Sequence, residues 1–304
     1  MITLSNGHAF QWMIASGAMA FDGRGWFWER PLVSAGLIRP ELFTTVIKTL
    51  TRNPREGNLR WWKPWECVAL IEGGAVNKVG LTNPGIEYWC KHIAPTIDFH
   101  KYPTVGSIFG DEKELVECTL MLNRFLLKAI EVNYSCPNAG TGFAAVEALI
   151  RGVMAVAEVS RHPVIVKVSV AQDFKTIAAR LKGIAEAISI NSVPWELVFQ
   201  NSRTPLYRLE SRVKGGGGGV SGRPAQAYNW EAARELVELG SLPVIAPSIM
   251  GLEDVETLKN LGAQAFSFGT IHLPTYPIWR HPMSLIQNPQ KPTQIVRAYE
   301  TNIH

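Results

Sequence analysis

A (β/α)8 barrel of the TIM type is the fold class that the sequence predicts, on two observations. Short β-rich runs alternate with helix-like stretches, and eight such runs occur in all. The chain has 304 residues, close to the size at which eight βα units close into a barrel. A doubly wound open sheet is the alternative topology for the same alternation.

The strands are expected at 13–17 (MIASG), 45–49 (TVIKT), 104–109 (TVGSIF), 130–135 (IEVNYS), 164–169 (VIVKVS), 197–201 (LVFQN), 244–246 (VIA) and 265–269 (AFSFG). Helices are expected at 112–128, 143–161, 173–188, 230–239 and 252–261. Two stretches break the rhythm, 52–100 with clustered Trp, Gly and Pro, and 203–228 with RVKGGGGGVSG. Each follows a strand end, the face on which barrels build their sites. The expectation is one domain spanning 1–304, with these two segments inserted as a cover.

Bulk composition narrows the function classes. Hydrophobic residues make up 46% and charged residues 18%, which excludes a disordered chain. A net charge of +4 is too small and scattered for a nucleic-acid partner, though it suits small anions. Four cysteines at 67, 90, 118 and 136 form no CxxC or other metal-ligand spacing. No apolar run reaches membrane-spanning length, and MITLSNGHAFQWM lacks the charged and apolar regions of a leader. A cytoplasmic protein with reduced thiols, no metal and no membrane contact is expected.

Polar residues recur at or just past the expected strand ends: Ser16, Lys48, Asn133, Cys136, Lys167, Asn201, Ser202, Ser248 and Thr270. Buried barrel strands otherwise read as near-continuous Val, Ile and Leu. This pattern points to a polar ligand on which the ends converge. Lys48 and Lys167 each interrupt a β-branched run, where a buried cation needs an anionic neighbour or an electron-rich cofactor. The glycine run 215–219 with Gly222 admits close backbone approach, or serves as a flexible linker. Within EVNYSCPNAG, at 131–140, Cys136 stands among asparagines and a serine, an unusual setting for a buried thiol.

These motifs together resemble the dihydroorotate dehydrogenase family, and more closely its soluble class with cysteine as base. The matching pieces run in order: ASG at 15–17, KTLT at 48–51, PREGN at 54–58, NKVGLTNPG at 77–85, GSIFG at 106–110, EVNYSCPN at 131–138, VIVKVS at 164–169, QNS at 200–202, GGVSG at 218–222 and LGAQAFSFGT at 261–270. The resemblance covers roughly residues 10–275. It implies an FMN-dependent barrel that oxidises dihydroorotate to orotate in pyrimidine (UMP) biosynthesis. Cys136 is then the base that takes the C5 proton, with Ser135 beside it and Lys48 between substrate and flavin. Asn77, Gly80, Leu81, Asn133, Asn138, Asn201 and Ser202 hold the substrate ring. Ala15, Ser16, Gly17, Lys48, Thr49, Lys167, Gly219, Gly222, Ser248, Gly269 and Thr270 contact FMN. A homodimer is the family expectation, with an iron–sulfur electron-transfer subunit as a further partner.

The sequence departs from the family at two places. Pro247 and Ser248 stand where the family has two phosphate-binding glycines; proline has no N–H, and the Ser248 hydroxyl is the available replacement. The segment 58–71 (NLRWWKPWECVALI) has no family counterpart and is expected to form a small core under the cover, the alternative being a subunit contact. Two other functions fit the same sequence. One is a flavin oxidoreductase acting on another dihydropyrimidine, the other an FMN-free barrel serving as a binding subunit.

Overall fold

The structure, a computed structural model, describes residues 1–60, 62–135, 143–200, 202–210 and 216–273. Eight parallel strands close into a barrel. In chain order they are β1 (Trp12–Ile14), β2 (Thr44–Val46), β3 (Thr104–Ile108), β4 (Ala129–Asn133), β5 (Val164–Val168), β6 (Ala187–Ile190), β7 (Val244–Ala246) and β8 (Ala265–Phe268). Each pairs with its chain neighbours, and β8 closes onto β1 with Phe266 opposite Trp12. Five of the connections carry the helices Glu112–Leu122, Phe143–Val159, Phe174–Arg180, Arg223–Leu239 and Leu252–Asn260.

The alternation of side chains along each strand sorts the barrel interior into layers. One apolar residue from every strand meets at the N-terminal end: Met13, Val46, Val105, Ala129, Ile165, Ala187, Ile245 and Ala265. A hairpin pairing Ile2–Thr3 with Ala9–Phe10 plugs this end with Ile2, Leu4 and Phe10. Two residues further along, the same face of β3, β4, β5, β6 and β8 carries Ser107, Glu131, Lys167, Ser189 and Ser267, all buried. The lumen therefore turns from apolar to polar in one step toward the C-terminal end.

Seven strands fall within a few residues of the expected positions, and the sixth does not. The expected strand at 197–201 is in fact a short helix, Trp195–Phe199, at least as far as Phe199. Pro194 at its start favours a helical turn, and Trp195 and Phe199, four residues apart, stack with ring centroids 4.2 Å apart. The true β6 is the short apolar run AISI, which continues the pattern of the preceding helix and was absorbed into it. That helix, expected over 173–188, ends at Arg180, and Gly183 with φ of 80° turns the chain toward the strand. The helix expected over 112–128 stops at Leu122. There Asn123 caps the exit, donating to the Val159 carbonyl and accepting from the Arg161 N–H.

The cover is a four-stranded antiparallel sheet ordered Val193–Pro194, Gly219–Gly222, Gly74–Asn77, Val68–Ile71. Three of its strands fall in the two expected insertions; the fourth, Val193–Pro194, lies before the second of them, just after β6. Ser169, past β5, anchors it by donating to the Ser192 carbonyl at 2.7 Å. Its small core consists of Val76, Val193, Trp195, Leu206, Val220 and Ala225. The tryptophans expected there face outward instead, Trp62 at 69% and Trp65 at 65% exposure. Trp61 lies outside the described residues.

The plugging hairpin carries a titratable contact. His8 Nε2 lies 2.8 Å from Thr44 Oγ1, and burial, with Lys128 nearby, pushes the imidazole down to about 4. The folded chain thus prefers the neutral ring. This contribution to stability is complete above pH about 6.5 and is lost as the pH falls toward 4. The unfolding temperature of the wild type is expected to drop across that window more steeply than that of His8→Gln, as followed by calorimetry.

Candidate active site at the C-terminal end of the barrel

A continuous chain of hydrogen bonds crosses the polar layer. Ser135 Oγ donates to Asn133 Oδ1 at 2.7 Å, and Asn133 Nδ2 donates to Thr49 Oγ1 at 2.7 Å. Thr49 Oγ1 and Ser107 Oγ lie 2.9 Å apart, and Ser107 Oγ donates to Glu131 Oε1 at 2.9 Å. Ser16, just past β1, lies 2.9 Å from both Thr49 Oγ1 and the Ile47 carbonyl, and joins the network when its one proton is given to Thr49. A carboxylate only accepts. With the Ser107 proton committed to Glu131, Thr49 must donate to Ser107. Every bond from Ser135 onward therefore points the same way, toward Glu131.

Strand register makes this possible. Glu131 and Asn133 are two residues apart on β4, so both face the lumen; β3 places Ser107 opposite Glu131, and β5 places Lys167 opposite Asn133. Lys167 Nζ lies 4.0 Å from Glu131 Oε1, with side chains 8% and 2% exposed. The expected anionic neighbour of Lys167 is thus Glu131, which the sequence reading passed over. Its signal was present: Glu131 is the one acidic residue in a strand of apolar ones. Ser107 was missed too, although it lies inside the matching piece GSIFG.

The other expected site residues lie past strand ends, in the cover sheet and in the segments next to it. Ala15, Ser16 and Gly17 follow β1, and Gly17 takes φ of 82° with the Lys48 stem against it. Lys48 is half-buried, and its charge favours the thiolate of Cys67, although burial dominates and pushes that thiol up to about 11. Asn77 ends a cover strand and donates to the Gly219 carbonyl at 3.4 Å. Gly80 and Leu81 follow, both with positive φ. Gly222 has φ of 87° and packs so closely on Gly73 that a side chain would meet its carbonyl at 2.6 Å. Ser202 is exposed, and its carbonyl accepts from the Trp195 indole. Ser248 follows β7, while Gly269 and Thr270 follow β8 and open a 3-10 turn, Thr270–His272. Cys136, Asn138 and Asn201 lie outside the described residues.

Replacing Glu131 by Ala would leave the Lys167 cation buried without its carboxylate. This is expected to lower the unfolding free energy by about 3–5 kcal/mol. Pairing the change with Lys167→Met should return most of that loss, as measured by chemical denaturation.

The chain is similar in sequence to known proteins. The family model described as dihydroorotate dehydrogenase matches residues 35–279. A catalytic subunit of dihydroorotate dehydrogenase B (NAD(+)) from Desulforudis audaxviator is 32% identical over 240 residues, 75% of this chain and 74% of its own length. Its Listeria monocytogenes counterpart is 28% identical over 242 residues, 76% of each chain. A provisionally named dihydroorotate dehydrogenase A (fumarate) of Pediococcus pentosaceus is 31% identical over 245 residues, again 76% of each. The chain is therefore a member of the dihydroorotate dehydrogenase family, an oxidoreductase acting on CH–CH donors.

Proposed function

We propose that this chain oxidises dihydroorotate to orotate with FMN as cofactor, in pyrimidine biosynthesis, and that barrel and cover work as one domain. The observation that carries the proposal is the one-way hydrogen-bond chain from Ser135 to the buried Glu131–Lys167 pair. It starts one residue short of Cys136, in a polar layer that lies directly above an apolar floor.

The residues present suit FMN. Lys167 offers a buried cation for the electron-rich edge of an isoalloxazine ring. Ser16, Thr49 and Asn133 supply hydroxyl and amide groups that both donate and accept. At the other side, the Ser248 hydroxyl and the turn opening at Thr270 offer donors to a phosphate. Ala15, Gly17, Gly219, Gly222 and Gly269 bring backbone close without side-chain bulk.

Bound FMN would accept the hydride from C6 of the substrate. Cys136 would take the proton from C5, an ordinary thiol titrating near enough to neutrality to act as base once neighbouring polar groups favour the thiolate. Ser135, fixed by its bond to Asn133, holds the start of that loop in place. Asn133, with Asn77, Asn138, Asn201 and Ser202, would bind the ring amides and carboxylate, and Gly80 and Leu81 would bring the cover backbone over it. Lys48 would lie between substrate and flavin. A homodimer in the cytoplasm is the proposed assembly; an iron–sulfur electron-transfer subunit is a partner that fits the relatives' designation as catalytic subunits. No described helix is long and apolar enough to cross a membrane.

The purified protein is expected to be yellow, and dihydroorotate added without oxygen should bleach it. A flavin that stays oxidised under those conditions sinks the substrate assignment. Cys136→Ser should slow the bleaching by roughly a hundredfold or more, the usual scale of a general base, while orotate binding changes little. Equal loss of both would make Cys136 structural.

A further inference from the structure

The loop after β7 is organised unlike a glycine-rich phosphate loop. Pro247 cannot donate a backbone N–H. Ser248 takes φ of 67°, the left-handed region that side chains rarely adopt. Three side chains of the helix Arg223–Leu239 hold it there. Gln226 Nε2 donates to the Ser248 carbonyl at 2.9 Å, Trp230 Nε1 to the Pro247 carbonyl at 3.1 Å, and Asn229 Nδ2 to Ser248 Oγ at 2.8 Å. Asp254, also buried, gathers the rest of the turn by accepting from Met250 N, Gly251 N and Gln226 Nε2.

The bond to the hydroxyl is the informative one. Asn229 is fully buried, and its amide donates, so Ser248 Oγ accepts. The hydroxyl proton is then left to point away from the helix, on the side chain of a residue that is only half-buried. Strand β7 pairs with β8, which leads into the turn Thr270–His272, and the glycine strand Gly219–Gly222 packs against that turn.

We propose that Asn229 is a positioning residue that turns the Ser248 O–H outward, so that the phosphate of FMN is held at β7 by a side-chain hydroxyl where a backbone N–H would otherwise serve. The proposal rests on FMN being the cofactor and assigns how this chain recognises its phosphate end. Asn229 never touches the phosphate. It sets which way the Ser248 proton points.

The test compares FMN with riboflavin, which lacks the phosphate, by fluorescence titration of the flavin-depleted full-length chain. Ser248→Ala removes the donor. Asn229→Asp reverses its partner bond, because a carboxylate draws the hydroxyl proton inward. Each is expected to weaken FMN roughly ten- to a hundredfold, the scale of one hydrogen bond to a charged group, and to leave riboflavin nearly unchanged. Adding Pro247→Gly to Ser248→Ala restores a backbone N–H and should recover FMN affinity. If the variants lose FMN and riboflavin alike, or neither, or if the glycine fails to rescue, the assignment falls. A wild-type chain that binds riboflavin no less tightly than FMN overturns it as well. A wild-type chain that binds no flavin overturns the cofactor reading first.

Discussion

A carboxylate and an ammonium group sealed inside a barrel dictate much of what surrounds them. Taking Glu131 and Lys167 out of water is costly unless their remaining bonding capacity is met. Ser107 meets part of it, and in doing so commits its proton and fixes the sense of the bonds behind it. Thr49, Asn133 and Ser135 then have one consistent arrangement. The chain therefore runs on toward Cys136 from a residue whose position is fixed by a charge pair two strands wide.

The rest of the molecule supports that arrangement from both ends. Below it, eight apolar residues and the N-terminal hairpin fill the lumen, leaving the polar layer no room to relax downward. Above it, the cover sheet spans the C-terminal side of the strands through contacts from the segments after β5 and β6. The structure is thus a closed floor, a single polar layer and a roof built from two distant insertions.

Most of the fold was legible because seven of the eight strands are short β-rich runs and, from β3 on, helical stretches separate most of them. The sixth was not, since AISI is short, lacks β-branching at half its positions and runs on from a helix without a strong break. LVFQN reads as a strand locally, but Pro194 and the Trp195–Phe199 stack decide for a helix. At the site, cations and asparagines were found because they interrupt apolar runs. Glu131 breaks such a run equally well, yet its importance lies in Lys167 standing on the next strand, and register is invisible until strands are paired. Asn229 and Gln226 carried no signal at all: on a surface-like helix pattern, only the turn they hold reveals why Asn229 is buried and what Gln226 binds.

The cover has a consequence for how the chain assembles. Its central ladder joins Gly74–Asn77 to Gly219–Gly222, so partners more than a hundred residues apart must meet. Such non-local pairing is slow and forms only after shorter-range contacts have brought the ends close. The barrel strands from β3 to β6 all lie between these two segments in the chain, so the roof closes late in folding and is the natural part to open first. The flavin proposed to lie beneath it would then enter through a roof that can part while the charged layer stays intact.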